Sequence, residues 1–508
     1  MKLLFKIICF CLFVFFVSNF SSCKKDKFLT DSGAKVEFSQ DSVLFDTVFT
    51  TIGSATQNIR IRNKHNQKIK ISSVQLQGGS GSQFIINVDG SKGTSFTNLE
   101  IAANDSMYIF IQVNVNPTNV NSPLVIEDAL NFVVNGNEQK VVLEAWGQDA
   151  YYHRPDSVLK FKDGSYFYYS VANAVPNSYN LVGGEFVWKN DKPHVIYGYL
   201  VVDEKQKLKI QEGTQVYLNY KAGIWVYAGG QIQVHGQKGK EVTFQGLRRE
   251  KDYADEPGQW DRIWINEGSD KNIIDYAIIK NAFIGVQCEY SGDTTQLKQG
   301  AKLTLTNTKI QNMSSWGLYC LYYNVTGGNN VISNCQEYCL NILYGGVYKF
   351  VNCTFANYWG IDKMRDKGRE KPTVNLNNYI TDDQGIHIAP ITVHIGNCII
   401  DGNLDNELSI DIKKDPSDSI KYTISNCWIK TNINTSDQSI FFNNVIGNKD
   451  DAKLSYKDRT NYNFEPASEN RVKNFSNNTA ISDVLPFPND INGNPRDQTN
   501  VTAGAYGP

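Results

Sequence analysis

The chain is short of three things: charge of one sign, methionine and long apolar runs. Each shortage removes a class of protein. Lys and Arg number 50 against 52 Asp and Glu, a net charge of −2, so there is no basic field to attract nucleic acid. The apolar run from Leu3 to Val17 is too short to span a bilayer comfortably. Only 4 Met occur, while Gly reaches 39 and β-branched residues, Asn and Tyr dominate, which is strand and turn chemistry. Aromatic residues make up 12%, too many for a disordered chain, and 508 residues exceed one ordinary core. The expectation is an all-β protein of at least two domains.

Lys2 and Lys6 flank or interrupt the N-terminal apolar run, which ends in small polar residues, so residues 1–22 read as a signal peptide. The sequence Phe20-Ser21-Ser22-Cys23 that follows resembles the lipobox of bacterial lipoproteins, with Phe20 where that family usually carries Leu. The resemblance implies a lipid on Cys23, a lipidated tether over 23–34 and a membrane partner through that lipid. Lys24 stands where an Asp would retain the protein at the inner membrane, so the implied address is the outer membrane, on either leaflet.

Residues 35–149 alternate with period two in short segments broken by Asn, Gly and Ser. Examples are Asn58-Ile59-Arg60-Ile61-Arg62-Asn63, Ile69-Lys70-Ile71, the stretch Met107 to Val113, and Val141-Val142-Leu143. Some seven strands in about 115 residues predict a two-sheet sandwich. These phrases resemble the Ig-like domains that act as spacers in bacterial surface proteins.

From residue 150 the pattern changes. Short strands follow one another with no helix between them, as in Leu208 to Ile210, Gly213 to Leu218, Gly223 to Tyr227 and Gln231 to Gly236. One phrase then recurs from Tyr276, Asn307, Asn334, Asn352, Asn397 and Asn426, all but the first led by Asn, at intervals scattering about one solenoid turn. The recurring Asn suits a left-handed turn, and stacked amides of successive coils would form a ladder. The residue after it points inward, which places Cys335, Cys353, Cys398 and Cys427 in the core. The stretches "LKIQEGTQVYL", "QWDRIWIN", "IIDYAIIKNAFIGV" and the tail "DINGNPR…AGAYG" resemble right-handed parallel β-helix proteins of the pectin-lyase-like group. The fold class expected is therefore all-β, an Ig-like β-sandwich over 35–149 followed by a right-handed parallel β-helix solenoid over 150–508.

Function is less legible, because that group contains lyases, hydrolases, adhesins and inert spacers. The seven cysteines that remain besides Cys23 once the signal peptide is removed read as free thiols, since parallel coils hold Cβ atoms about 4.8 Å apart, beyond disulfide reach. No set of four ligands converges near Cys335 and Cys339, so no metal site and no cofactor is expected. Asp401, Asp405, Glu407 and Asp411, and the pair Asp382 and Asp383, read as solvated loop charges. His65 and His153 read as surface or structural. Trp260, Trp264, Trp316, Tyr319, Tyr358 and Trp359 read as core or stacked-coil residues rather than sugar platforms. Six Asp-Ser/Thr tripeptides, beginning at 41, 46, 105, 156, 293 and 418, resemble an O-glycosylation sequon of bacterial exported proteins.

The longest interval, from Asn352 to Asn397, carries the candidate site. Its excess, Asp362 to Pro390, reads as one loop inserted between coils, rich in charge and holding a ring to stack on a sugar. Candidate ligand-binding residues are Arg365, Arg369, Tyr379, Asp382, Asp383 and His387, with the segment Arg248 to Asp261 as the next choice. The expected function is a lipid-anchored envelope module that binds glycans or serves as structure. The alternative is a polysaccharide lyase or glycoside hydrolase of the same fold, which would use carboxylates and a Lys or Arg in one groove.

Overall fold

The computed structural model describes residues 27–117, 124–172, 184–290, 302–361, 363, 365, 367–414, 420–447, 454–467, 472 and 478–507. Cys23 and the signal peptide lie outside them, as do the hydroxyl residues Thr294 and Ser419 of two tripeptides. The chain divides into two compact units between Asp149 and Ala150. Both are built almost wholly of strands.

Among the described residues the first unit holds ten strands rather than about seven, in two five-stranded sheets. One sheet contains Gln57–Arg62 and Ser106–Val113, the other Asn137–Gln148 and Leu124–Val134. Alternation builds the shared core: Ile59, Ile61, Ile109 and Ile111 from one sheet meet Leu130, Phe132, Val141 and Leu143 from the other, all fully buried. Ser42–Phe49 breaks the antiparallel pattern by pairing parallel to Asn137–Gln148.

The second unit contains an 11-stranded parallel sheet and an 18-stranded sheet, compatible with a β-helix. The chain visits three parallel ladders in turn. The first face stacks His194–Ile196, Gln215–Leu218, Val242–Gly246, Ala277–Lys280 and their successors to Val445–Gly447. The second stacks Tyr199–Val202, Gly223–Val226, Ile263–Ile265 and Val286–Glu289. The third stacks Gln206–Gln211, Gln231–His235, Asn272–Asp275 and Leu303–Thr306. Leu318–Gly328 and Leu340–Val351 each serve both the second and third faces, turning the corner at Tyr322 and Tyr344, whose φ angles are 46° and 58°. Inward residues of all three faces form one apolar column from Ala172 to Phe441.

The corner between third and first faces is one left-handed residue: Tyr276, Asn307, Asn329, Asn352, Asn397, Asn426 and Asn443 all have φ between 48° and 55°. Asn tolerates this conformation because its short amide bonds locally. Asn334 does not belong to the set. It follows the first face, in the turn shared with Asn281 and Asn312, and Asn329 is the true counterpart of Asn352. The amide ladder forms in pieces: Asn329 donates to Asn307 at 3.0 Å, Asn443 to Asn426 at 3.0 Å and Asn312 to Asn281 at 2.7 Å. Asn352 and Asn397 turn instead to the carbonyls of Asp483 and Ala480.

The residue after each left-handed corner points inward, and here the thiols have a definite task. The N–H of Cys353 donates to Sγ of Cys398 at 3.3 Å, that of Cys398 to Sγ of Cys427 at 3.3 Å, and that of Cys427 to Asn444 at 2.8 Å. Thr308 and Asn330 fill the same role in earlier coils. Cys335 belongs elsewhere, in register with Met313. All seven cysteines among the described residues are buried and free.

The tail closes the first face. Val331, Ala356, Ile399 and Trp428 point out of the coil and are covered by Leu454, Phe464, Val484, Val501 and Tyr506 in a second apolar cluster. Gly504 donates to the carbonyl of Asn397, and Arg496 holds Asn329 and the carbonyls of Gly504 and Ala505. The tail phrase is thus a lid on apolar surface that would otherwise face water.

Candidate functional site

The long interval is not one loop. Val374–Asn377 lies inside it as a buried strand of the second face, paired with Leu340–Val351 and Leu408–Asp411. This splits the insertion into a crossing before residue 374 and a hairpin, Tyr379–Asp382 with Gly385–Ile388, after it. Asn377, at 8% exposure, is part of that strand.

The six candidate residues therefore fall in three places. Arg365 reaches back to the earlier charged segment, donating to the carbonyl of Asp255 and to Asn312 at 2.8 Å each and lying over Trp359. Lys363 pairs with Asp255 beside it, so the first-choice and next-choice segments pack on each other. Arg369 is buried on Glu407, with Asn403, Thr373 and the carbonyl of Lys371 taking its remaining hydrogen bonds, and offers no surface to a ligand. Tyr379, Asp382, Asp383 and His387 sit on the hairpin. Tyr379 donates to Asp411 at 2.6 Å under the amine of Lys413, and His387 meets Asp382 at 2.9 Å. That His387 contact is the main cause holding the Asp382 carboxyl below its ordinary range.

Two carboxylates of the presumed solvated group are buried. Glu407 is one. Asp401, 2% exposed, accepts the hydroxyls of Tyr358 at 2.6 Å and Tyr456 at 2.8 Å. Burial pushes its carboxyl up despite those bonds. His153 is also buried, not a surface group. It meets His194 at 3.0 Å, and the ring of Trp188 stacks on both.

The convergent arrangement lies on the outer side of the second face, where strand alternation sets two kinds of column. Ile224, Ile263, Val286, Leu318, Leu340, Val374 and Leu408 follow one another inward in register. The next residue of each strand points outward: Trp225, Trp264, Gln287, Tyr319, Asn341, Asn375 and Ser409. Trp225 and Trp264 stack at 5.1 Å and 15°, each partly exposed, and Trp316 stacks on Tyr319 at 4.5 Å.

Around these rings runs a continuous polar network. Tyr199 donates to Asp261, whose other oxygen takes Arg262 Nε at 2.9 Å and Nη2 at 2.8 Å. Arg262 also binds Gln287, and Gln287 donates to Glu289 at 2.6 Å. Asn266 contacts Glu289, Glu267 and the indole N–H of Trp225. Burial and then Asp261 hold the Tyr199 phenol well above its usual range, and burial raises that of Tyr319. Three carboxylates, one guanidinium and two stacked indoles thus share one face.

Sequence reasoning placed Trp264 and Tyr319 with the core or stacked-coil residues and did not single out Trp225, Arg262, Gln287 or Glu289. The signal was present in the pair "G-I-W-V" and "R-I-W-I", which repeat one outward Trp between two inward apolar residues.

No family model and no curated protein matches the chain. Solved structures similar in part include a family 123 glycoside hydrolase from Clostridium perfringens, at 8% identity and TM-score 0.16, covering 22% of this chain and 23% of that one. The periplasmic chaperone SfaE matches at 10% and 0.17 over 26% and 70%, and the E. coli chaperone DraB at 7% and 0.16 over 26% and 80%. The chain thus spans about a quarter of the hydrolase's length, and likenesses this slight carry no argument about fold or function.

Proposed function

We propose that this is a lipid-anchored protein of the bacterial outer membrane, in which an Ig-like sandwich precedes a right-handed, pectin-lyase-like β-helix that binds glycan. The observation carrying this reading is the second face, where the Trp225–Trp264 stack adjoins the Asp261–Arg262–Gln287–Glu289 network. Partly exposed indoles offer apolar surface to sugar C–H groups, and a fixed row of donors and acceptors matches sugar hydroxyls. Binding is favoured over catalysis because Asp261 and Glu289 are both engaged by neighbouring side chains, whereas a general acid or base must reach the substrate.

One observation favours the second reading, a polysaccharide lyase or glycoside hydrolase: Asp261, Glu267 and Glu289 belong to one network with Arg262, Asp261 directly and the two Glu through Gln287 and Asn266. A polysaccharide panel, assayed both for binding and for new reducing or unsaturated ends, separates the two. Binding that is lost in Trp264→Ala without product formation supports the module, product lost in Glu289→Gln supports the enzyme, and neither binding nor product with any glycan rejects both. For the anchor, Cys23→Ala is expected to leave soluble protein, and mutant protein that still pellets with membranes at high salt overturns it.

A further inference from the structure

The two outer faces of the sandwich carry opposite chemistry. Each sheet spends one side on the shared core, so its other side shows what the sequence presents to water. On the sheet of Asn137–Gln148, strand register sets Leu44, Glu144 and Glu127 in one outward row and Thr47, Trp146 and Val125 in the next. Val142 lies on the same side of its strand as Glu144 and Trp146. Leu44, Val125, Val142 and Trp146 are between 41% and 63% exposed, so the two carboxylates stand in one apolar patch. A recess of about 510 Å³ opens beside it, walled in part by Val142, Glu127 and Asp128, with Lys140 its one cation.

The opposite sheet presents cations and rings. Arg60 and Arg62 alternate outward from Gln57–Arg62, and Arg60 stands opposite Tyr108 as Asn58 does opposite Phe110. The two rings are exposed and stack at 6.4 Å and 23°. Lys92 continues the Phe110 row across Asn87. Glu37, opposite Arg62 in register, is taken by Lys64, and neither Arg60, Arg62 nor Glu127 has an ion-pair partner among the described residues.

A contiguous apolar patch set among charges marks a protein contact, and Trp, Tyr and Arg are the residues that carry most energy in one. Complementary potentials on the two faces would steer and align such a contact. The faces lie on opposite sides of one sandwich, so no single copy can bring its own together.

We infer that the basic face of one copy docks on the acidic face of a second copy of this chain, Arg60 and Arg62 on Glu127 and Glu144, with Tyr108 and Phe110 against Leu44, Val142 and Trp146. The contact joins unlike surfaces, so it continues past the dimer, into a ring if the rotation closes and an open chain if it does not. It does not depend on what the second unit binds.

Sedimentation velocity of the whole chain carrying Cys23→Ala, which removes clustering through lipid, tests it. The sedimentation coefficient is expected to rise with protein concentration beyond that of a dimer and to fall back as salt is raised. Two charge-reversed forms, Arg60→Glu with Arg62→Glu and Glu127→Arg with Glu144→Arg, each checked for an unchanged melt, are expected to stay monomeric where the parent associates. If a double form melts early, Arg60→Glu or Glu127→Arg alone takes its place. An equimolar mixture of the two reversed forms is expected to associate again, because every contact in it once more joins a basic face to an acidic one. A parent that is monomeric at every concentration or whose association ignores salt, a reversed form that associates like the parent, or a mixture that stays monomeric overturns the inference.

Discussion

Arg369 grips Glu407 through two parallel contacts, Nη1 to Oε2 at 2.8 Å and Nη2 to Oε1 at 2.6 Å, with both side chains wholly shielded from water. Glu407 also accepts from the N–H and hydroxyl of Thr373 and the N–H of Leu404, so its lone pairs are filled. Breaking such a pair strands the other charge in a dry interior, which costs about 3–5 kcal/mol. Arg369→Ala and Glu407→Ala are each expected to lower unfolding free energy in urea by that amount. The double variant should cost less than the sum of the two. Equal and additive small losses would mean that the pair is solvated.

The histidine pair sets a pH limit. His153 and His194 are buried against Trp188, and burial pulls both imidazoles down, His194 to about 3 and His153 well below its ordinary value. The folded state therefore holds them neutral while the unfolded chain takes up protons near pH 6.5, so stability is full above that value and declines as pH falls toward 3. Replacing His194 by Asn should flatten the melting temperature between pH 6.5 and 4 relative to wild type. An unchanged acid slope would assign the loss to carboxylates instead.

The thiol column makes its own demand. Cys398 accepts the N–H of Cys353 at 3.3 Å and donates to the carbonyl of Gly396 at 3.1 Å, so the sulfur is a hydrogen-bonding group in an apolar place. Cys398→Val adds apolar bulk but orphans a buried N–H, and should destabilise by about 1–3 kcal/mol. Cys398→Ser, which keeps donor and acceptor, should cost less, although serine is the more polar residue. Burial also pushes the Cys398 thiol well above its ordinary range, so the native column should resist alkylation and react only on unfolding. Denaturant melts and mass spectrometry after labelling check both.

What the sequence disclosed is what one coil can state by itself. Period-two alternation marks inward residues such as Ile224 and Ile263, and an Asn marks a left-handed corner, because each depends on neighbours within a few residues. Contacts between coils were hidden, since turns lengthen freely and the spacing is irregular. His153 and His194 stand 41 residues apart, and Trp225 and Trp264 meet only through strand register. Val374–Asn377 was lost in a charged stretch because four residues carry too little pattern to stand out from flanking Lys, Arg and Asp. Asp401 and Glu407 looked solvated for a similar reason. Their burial is decided by the tail and by Arg369, not by nearby sequence.

Asn329 joins the coil to its lid. In the left-handed corner at φ 55°, its amide donates to Asn307 at 3.0 Å and to the carbonyl of Asn489 at 2.8 Å, while its oxygen accepts Arg496 Nη2 at 2.9 Å. Arg496 is buried, and burial pulls its guanidinium down to about 10, so it depends on the few acceptors that reach it. Asn329→Ala removes an acceptor from a buried cation, two donor contacts and a side chain suited to the corner, and should cost about 2–4 kcal/mol. Asn443→Ala, at the matching corner of a later coil, removes one amide contact to Asn426 and should cost about 1 kcal/mol. If the tail is held as described, Asn329→Ala also exposes residues 478–507 to limited proteolysis well before the coil unfolds, while Asn443→Ala does not. Identical melting shifts and cleavage patterns for the two variants would show that the corner alone matters and that the lid is anchored elsewhere.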